Sequence, residues 1–257
     1  MRFSVLASGS GGNACYVDTT QTRILIDAGL SCRELIKRLN TIDTGSSRID
    51  GIVITHEHAD HIKGVGPIAR HFDIPVYMNT PTLGKSVKRL GNISQQKIIQ
   101  TGQAITINDI CIETFSKCHD AADPMGIIVS SNGSRLGLVT DLGRSTRLVE
   151  DRLKKCTGLI IEFNHDSEML AQGPYSVSLQ RRIKGAEGHL SNQQAGELLR
   201  KVSHKSLSYV VLAHLSSENN LPEKALQVAR NVIDECRLDK TEIQISCQDI
   251  PMQLMEI

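Results

Sequence analysis

The 257-residue chain contains no tryptophan and only four phenylalanines and four tyrosines. So small a supply of flat rings gives poor support to a base-stacking platform, which needs several aromatic faces along a strand of nucleic acid. Neither sign of charge dominates: 29 Lys and Arg against 28 Asp and Glu leave a net charge of +1. That balance argues against a protein that coats duplex by bulk charge, so any nucleic-acid contact must come from a local basic patch. The seven cysteines (Cys15, Cys32, Cys111, Cys118, Cys156, Cys236 and Cys247) are scattered and never spaced C-x-x-C. An odd, dispersed set argues against a disulfide framework and a cysteine-rich zinc module, and fits reduced thiols in a cytoplasm. No apolar run approaches the roughly 18 residues of a membrane span, and residues 1–7 are too short and too soon interrupted for a signal peptide. The expectation is a soluble, cytoplasmic protein with no membrane partner.

Against these absences stands one dense feature, Thr55-His56-Glu57-His58-Ala59-Asp60-His61, arriving directly off the apolar strand Gly51-Ile52-Val53-Ile54. In an extended segment, side chains two apart point the same way, so His56 and His58 can grip one ion together. Asp60 and His61 follow where the chain turns into a helix and must diverge from that pair. A lone histidine is most often an ordinary core or surface residue. Four ligand-type side chains at H-x-H-x-D-H spacing are a metal site, and two adjacent ions suit so short a loop better than one.

The rest of the chain reads as strands in antiparallel clusters with helices interspersed. Strands are predicted at 3–6, 14–17, 23–26, 51–54, 76–78, 97–99, 104–107 and 110–116. More follow at 126–131, 135–140, 159–162, 209–212, 242–246 and 252–256. Asn132-Gly133 marks a hairpin. Helices are predicted near 32–40, behind the capping box Ser31-x-x-Glu34, and near 61–71, 81–90, 145–154 and 175–183. The last two run to about 202 from Ser191-x-x-Gln194 and over 222–236. The glycine-rich turn Ser8-Gly9-Ser10-Gly11-Gly12-Asn13 lacks the Lys-Ser/Thr ending of a P-loop and reads as a tight hairpin. No repeat, linker or low-complexity stretch divides the chain. The pattern predicts an α+β fold of two packed sheets with helices outside, an αββα sandwich, in a single domain over 1–257.

Two ions need six or seven protein ligands, and further donors belong where strands end. His119, Asp141 and His214 each lie just beyond the end of an apolar strand. Singly, each is as well read as a polar turn or capping residue. As a set, His56, His58 and His119 make a three-imidazole site, Asp60, His61 and His214 make a mixed site, and Asp141 bridges them.

This ligand order resembles that of the metallo-β-lactamase-fold hydrolases, whose early structural aspartate is matched by Asp27 in Leu25-Ile26-Asp27-Ala28-Gly29. More narrowly, Leu6-Ala7-Ser8-Gly9-Ser10-Gly11-Gly12-Asn13 and Glu162-Phe163-Asn164-His165-Asp166 resemble the YycJ/WalJ-type exonuclease branch. So do Gly188-His189-Leu190-Ser191-Asn192 and Ala213-His214-Leu215-Ser216-Ser217-Glu218-Asn219-Asn220. The resemblance implies the four-layer αββα metallo-β-lactamase fold and a dinuclear phosphodiesterase. Its activity would be that of a DNA 5′-to-3′ exonuclease, in which two Zn2+ or Mn2+ ions activate a hydroxide and clamp the phosphate.

His189 resembles the motif histidine of ribonuclease Z and the cyclic-phosphate diesterases, which implies a proton donor to the leaving oxygen. Glu162 matches the strand-ending glutamate that orients it. The catalytic set is then His189, Glu162 and Asp60. His189 is also readable as a helix-entry turn residue or a further ligand. His165 is open between pocket wall, alternative ligand and turn cap, and His71 and His204 read as ordinary. Arg181, Arg182 and Lys184, a few residues before His189, are candidates to hold the phosphates of a DNA end, although such a run is more often a solvated helix face. The alternative substrate is a small molecule such as a phosphoribosyl cyclic phosphate. His58 and His61 argue against a diiron redox relative and the intact ligand set against an inert scaffold, while acyl hydrolysis stays open on the same scaffold, with a pocket built for acyl groups and no need of the Glu162/His189 pair.

Overall fold

The computed structural model describes residues 1–42 and 48–257. Strands β1 (Arg2–Ala7), β2 (Ala14–Asp18) and β3 (Arg23–Ile26) form an antiparallel meander, which β4 (Gly51–Val53), β5 (Val76–Met78) and β6 (Gln96–Ile98) extend in parallel. A second sheet repeats the plan. Strands β7 (Ala104–Ile107), β8 (Ile110–Ser116), β9 (Met125–Ser131) and β10 (Ser134–Val139) are antiparallel, and β11 (Gly158–Glu162), β12 (Tyr209–Ala213) and β13 (Glu242–Ile245) continue in parallel. The last strand, β14 (Met255–Glu256), returns to pair with β1, so each sheet has seven strands among the described residues.

Side chains two apart share a face of a strand, and here both faces are covered. Ile24 and Ile26 of β3 meet Ile127 and Val129 of β9 and Ile160 of β11 between the sheets. Leu25 points the other way, into a cluster with Leu35 and Leu39 of α1 (Cys32–Thr41). On the far side, Ile128, Leu159 and Ile161 pack with Val149 and Leu153 of α5 (Arg147–Leu153) and Leu198 and Leu199 of α8 (Asn192–Val202). The first sheet's helices are α1, α2 (Ala59–Ile62), α3 (Val65–Phe72) and α4 (Thr80–Leu90). Those following the second are α5 (Arg147–Leu153), α6 (Ser167–Gln172), α7 (Val177–Lys184), α8 (Asn192–Val202) and α9 (Pro222–Glu235). Three apolar layers between four layers of structure make the α+β sandwich that the sequence pattern predicts. Truncating one of these fully buried side chains to alanine costs about 2–5 kcal/mol.

The caps sit where the sequence places them. Ser31 accepts from the Glu34 N–H, and Ser191 and Gln194 form a reciprocal capping box. Asn132 and Gly133 take φ of 50° and 85°, as a two-residue hairpin requires. Three elements differ from expectation. The helix predicted over 61–71 is two, because the Gly64 N–H goes to the Ala28 carbonyl, 2.7 Å away, instead of up the helix. Helix α6 was not predicted, although Asp166 caps it by accepting from the Met169 N–H. The final strand covers only Met255–Glu256 of the predicted 252–256.

Candidate metal centre

The site lies where strands of both sheets end. After β4 the chain enters the histidine-rich loop, and one buried carboxylate holds both ends of it. Asp27 accepts from the Thr55 N–H (2.8 Å), the Thr55 hydroxyl (2.7 Å) and His61 Nδ1 (2.7 Å). Asp27 itself sits at φ 58°, a left-handed conformation costly for a residue other than glycine. The short α2 is fixed by its carbonyls: that of Asp60 accepts from the Asn13 N–H (2.7 Å) and that of His61 from the Ala28 N–H (2.8 Å). A Cβ on Gly29 would fall 1.6 Å from the Asp60 carbonyl oxygen, so only glycine permits this approach. Asn13 Nδ2 also lies 3.1 Å from Asp60 Oδ2. The glycine-rich turn is thus the predicted hairpin, and it orients the loop.

The second sheet contributes one residue per strand end: His119 after β8, Asp141 after β10, Glu162 at the end of β11 and His214 after β12. His189 precedes α8. Glu162 is fully buried and joins most of them. Its Oε1 accepts from the Asp141 N–H (3.0 Å) and His189 Nδ1 (2.9 Å) and lies 3.1 Å from His214 Nδ1. Its Oε2 accepts from the N–H groups of Leu142 (3.0 Å) and Leu190 (2.9 Å). Asp141 and His214 take left-handed φ of 53° and 58°. Such strain is on the order of 1–3 kcal/mol per residue and persists only where surroundings impose it. For His214 the surroundings are Ser8, whose hydroxyl accepts its N–H (2.8 Å), and Asn164, which donates to its carbonyl (2.9 Å). His119 Nδ1 is directed at the Gly188 carbonyl, 3.3 Å away.

These elements bring all seven predicted ligands, Glu162 and His189 together. Ligand-type atoms of His56, His58 and His119 lie within 4.8 Å of one another; so do those of Asp60, His61, Asp141 and His214, and those of Asp141, Glu162, His189 and His214. Asp141 stands between the groups, with one oxygen 3.1 Å from His61 Nε2 and the other 3.4 Å from His214 Nε2 and 3.8 Å from His119 Nε2. The donor set fits a divalent cation on a direct observation. His56 Nε2 and His214 Nε2 are buried, face the other ligand-type atoms, and make no hydrogen bond among the described residues. Buried polar atoms left this way destabilise a fold unless something binds them.

The electrostatics agree. Burial lowers His56 far below the usual histidine range, reinforced by His61 and Lys117. Burial also takes His119 down to about 4 against the pull of Asp141. Both rings are therefore neutral at pH 7, the form that ligates metal. Burial opposes the charged forms of His61 and His189, but Asp141 and Asp27 raise the first to about 10 and Glu162 raises the second to about 9. Burial would raise Asp141, yet His214, His61 and Lys117 hold its carboxyl well below the carboxylate range.

Lys117 escaped the sequence reading. Its ammonium is buried beneath the site, donates to the Thr140 carbonyl at 2.5 Å, and is pushed down by burial while Asp141, Asp27, Glu162 and Asp60 oppose the shift. No spacing signal marks a lysine that follows the end of a strand as buried. Among the described residues His165 belongs to none of the ligand groups and its Nδ1 has no partner; its ring is buried, and burial lowers it to about 4. A cleft of about 210 Å3 adjoins His189 and His214 and is walled by α7 and by Ser216 and Ser217. Arg182 lines it, paired to Asp120 at 2.8 Å through Nε, whereas Arg181 and Lys184 do not line it. No helix among the described residues is long and apolar enough to cross a membrane.

Comparison with known proteins agrees with this geometry. The family described as the beta-lactamase superfamily domain matches residues 22–214. The chain is 39% identical to the exodeoxyribonuclease YycJ of Bacillus anthracis over 237 residues, covering 91% of this chain and 90% of that protein. It is 36% identical to the exodeoxyribonuclease WalJ of Streptococcus pneumoniae over 241 residues, covering 92% and 90%. Two solved structures share the fold. The metallo-β-lactamase-fold protein YhfI of Bacillus subtilis has a TM-score of 0.73, 15% identity and 98% coverage of both chains. Zn2+-bound PqqB of Methylobacterium extorquens has a TM-score of 0.70 and 12% identity, covering 98% of this chain and 99% of that one. A matched family domain over most of the chain, near full-length relatives and the strand-end histidine and aspartate cluster converge, and the protein belongs to the β-lactamase superfamily as a metallo-β-lactamase-fold hydrolase of the YycJ/WalJ family.

Proposed function

We propose that this protein is a DNA 5′-to-3′ exonuclease dependent on two divalent ions, Zn2+ or Mn2+. The observation that carries the reading is the convergence of two ligand groups on Asp141 beside a cleft where Glu162 orients His189. His56, His58 and His119 would hold one ion, Asp60, His61 and His214 the other, and Asp141 would serve both. When bound, such a pair supplies an activated water and neutralises charge on the phosphate.

The residues do the rest. Glu162 accepts the Nδ1–H of His189 and favours the imidazolium, so Nε2–H is the proton released to the leaving oxygen at the cleft. The same carboxylate fixes Asp141 through its backbone N–H, so the proton donor and the shared ligand keep one spacing. Arg182, paired with Asp120 in the cleft lining, would receive a strand's phosphate; Arg181 and Lys184 would act outside the cleft. The relatives' names support DNA as substrate. One domain over 1–257 is supported by the pairing of its ends, where the Ile257 N–H meets the Met1 carbonyl at 2.9 Å. The seven unpaired cysteines support action in the cytoplasm.

The test is digestion of linear double-stranded DNA labelled at the 5′ or the 3′ end, with Mn2+ and Zn2+ tried separately and Asp60→Ala alongside. Early release of labelled mononucleotide from the 5′ end alone, abolished in Asp60→Ala, is expected. Intact DNA with hydrolysis of bis-p-nitrophenyl phosphate would instead move the substrate to a small cyclic or nucleotide phosphodiester.

A further inference from the structure

The eight Phe and Tyr rings divide unequally. Phe3, Phe115, Phe163 and Tyr16 are buried in the apolar clusters, and Phe72, Tyr77 and Tyr209 pack against them. Tyr175 belongs to none. It lines the cleft beside His189 and His214 instead, half-buried, and its hydroxyl has no hydrogen-bond partner among the described residues.

Its surroundings are unusual for the same reason. No residue of α7 is buried, so this helix does not dock on the core. Yet Leu179 and Ile183, four and eight positions after Tyr175, line the same cleft and make one apolar wall with it. The wall's far end is tied to the reacting site, because the Ile183 carbonyl accepts the His189 N–H at 2.8 Å. The same cleft is also lined by hydroxyls, from Ser10, Ser216 and Ser217, and by Arg182. A cleft lined by both an apolar set and polar groups suits a ligand with a flat, weakly polar ring at one end and a sugar phosphate at the other.

We infer that the cleft takes one nucleotide of the DNA end, its base stacked on Tyr175 and bounded by Leu179 and Ile183. This rests on the exonuclease reading and names its specificity element. A single free ring stacks a single base, which restricts each cut to the terminal nucleotide. Stacking needs no hydrogen-bond code, so the slot accepts all four bases.

The experiment compares wild type, Tyr175→Phe and Tyr175→Ala on DNA with a normal 5′-terminal nucleotide and on DNA whose terminal nucleotide lacks its base. On normal ends Tyr175→Ala should lower kcat/KM about 5- to 150-fold, the 1–3 kcal/mol of one stacked base at 1.4 kcal/mol per tenfold. Tyr175→Phe should restore it. Base-free ends should slow wild type by a similar factor and Tyr175→Ala little further, with metal content and melting temperature unchanged in both variants. Equal kcat/KM for Tyr175→Ala and wild type on normal ends overturns the inference alone. So does a Tyr175→Ala loss equally large on normal and base-free ends, or one accompanied by lost metal. Wild type that leaves DNA ends intact overturns the exonuclease reading and the inference with it.

Discussion

The two sheets furnish the site in opposite ways. The first supplies His56, His58, Asp60 and His61 from one short loop, held by Asp27 and by backbone contacts to residues 13 and 28. The second supplies His119, Asp141, Glu162, His189 and His214 from five separate places along nearly a hundred residues. No local geometry relates those five; the buried carboxylate of Glu162 and the buried ammonium of Lys117 do. A local cluster can be ordered by one support without disturbing its neighbour. A dispersed cluster that shares one support should fail as a unit.

Glu162→Gln is the sharpest way to break that difference, and we expect it to have the largest effect. The carboxylate's two oxygens face five N–H groups, and an amide replaces one oxygen with a donor. In the orientation that keeps Oε1, the Leu142 and Leu190 N–H groups lose their acceptor, at about 1–3 kcal/mol each. The other orientation abandons Asp141, His189 and His214 together. We therefore predict a lower unfolding free energy by roughly 2–6 kcal/mol and a turnover loss that exceeds that of any single change to the residues it holds. Thermal unfolding and single-turnover DNA digestion measure both. Wild-type stability with a small rate change would show that the five positions are independently set.

His189→Ala comes next, with about 10²- to 10⁴-fold slower cleavage expected for the loss of a proton donor. Bound metal separates the two roles the geometry offers, since His189 also falls within ligand distance of Asp141 and His214. Unchanged metal content with slow turnover is the expected result. Metal lost in parallel with rate would make His189 a ligand and leave the leaving oxygen without its assigned donor.

The same asymmetry decided what could be read from the sequence. H-x-H-x-D-H is contiguous, so its chemistry is visible without the fold, and His119, Asp141 and His214 stand out as candidates because apolar strands announce their own ends. The layers were legible too, since strands such as 23–26 and 159–162 are apolar on both faces and need a partner on each. Lys117 was not, because its burial is created by carboxylates that arrive from four other segments. Arg182 reads as a solvated helix residue until Asp120 folds next to it. Tyr175 was hidden by a true premise: eight rings are too few for a platform, but once seven are used in packing the eighth stands out. Helix α6 carries a cap signal in its own sequence, Asp166, whose side chain accepts from the Met169 N–H.

Asp27→Asn tests the first half with a smaller effect. The carboxylate accepts the His61 Nδ1–H, so Nε2, the nitrogen facing Asp141, is the one that would give up its proton to bind the proposed ion. Asparagine keeps an oxygen for the Thr55 N–H but turns its NH2 toward the Thr55 hydroxyl and His61. The hydroxyl can rotate to accept. His61 can accept at Nδ1 only by moving its proton to Nε2, which removes the lone pair that would ligate. Loss of such a support lowers metal affinity about 10- to 100-fold. Titration with Mn2+ or Zn2+ should therefore weaken one binding step by that factor and leave the other close to wild type, because His56, His58 and His119 keep their own contacts. Two steps weakened equally would mean that the halves are one cooperative unit, with Asp141 transmitting the change between them.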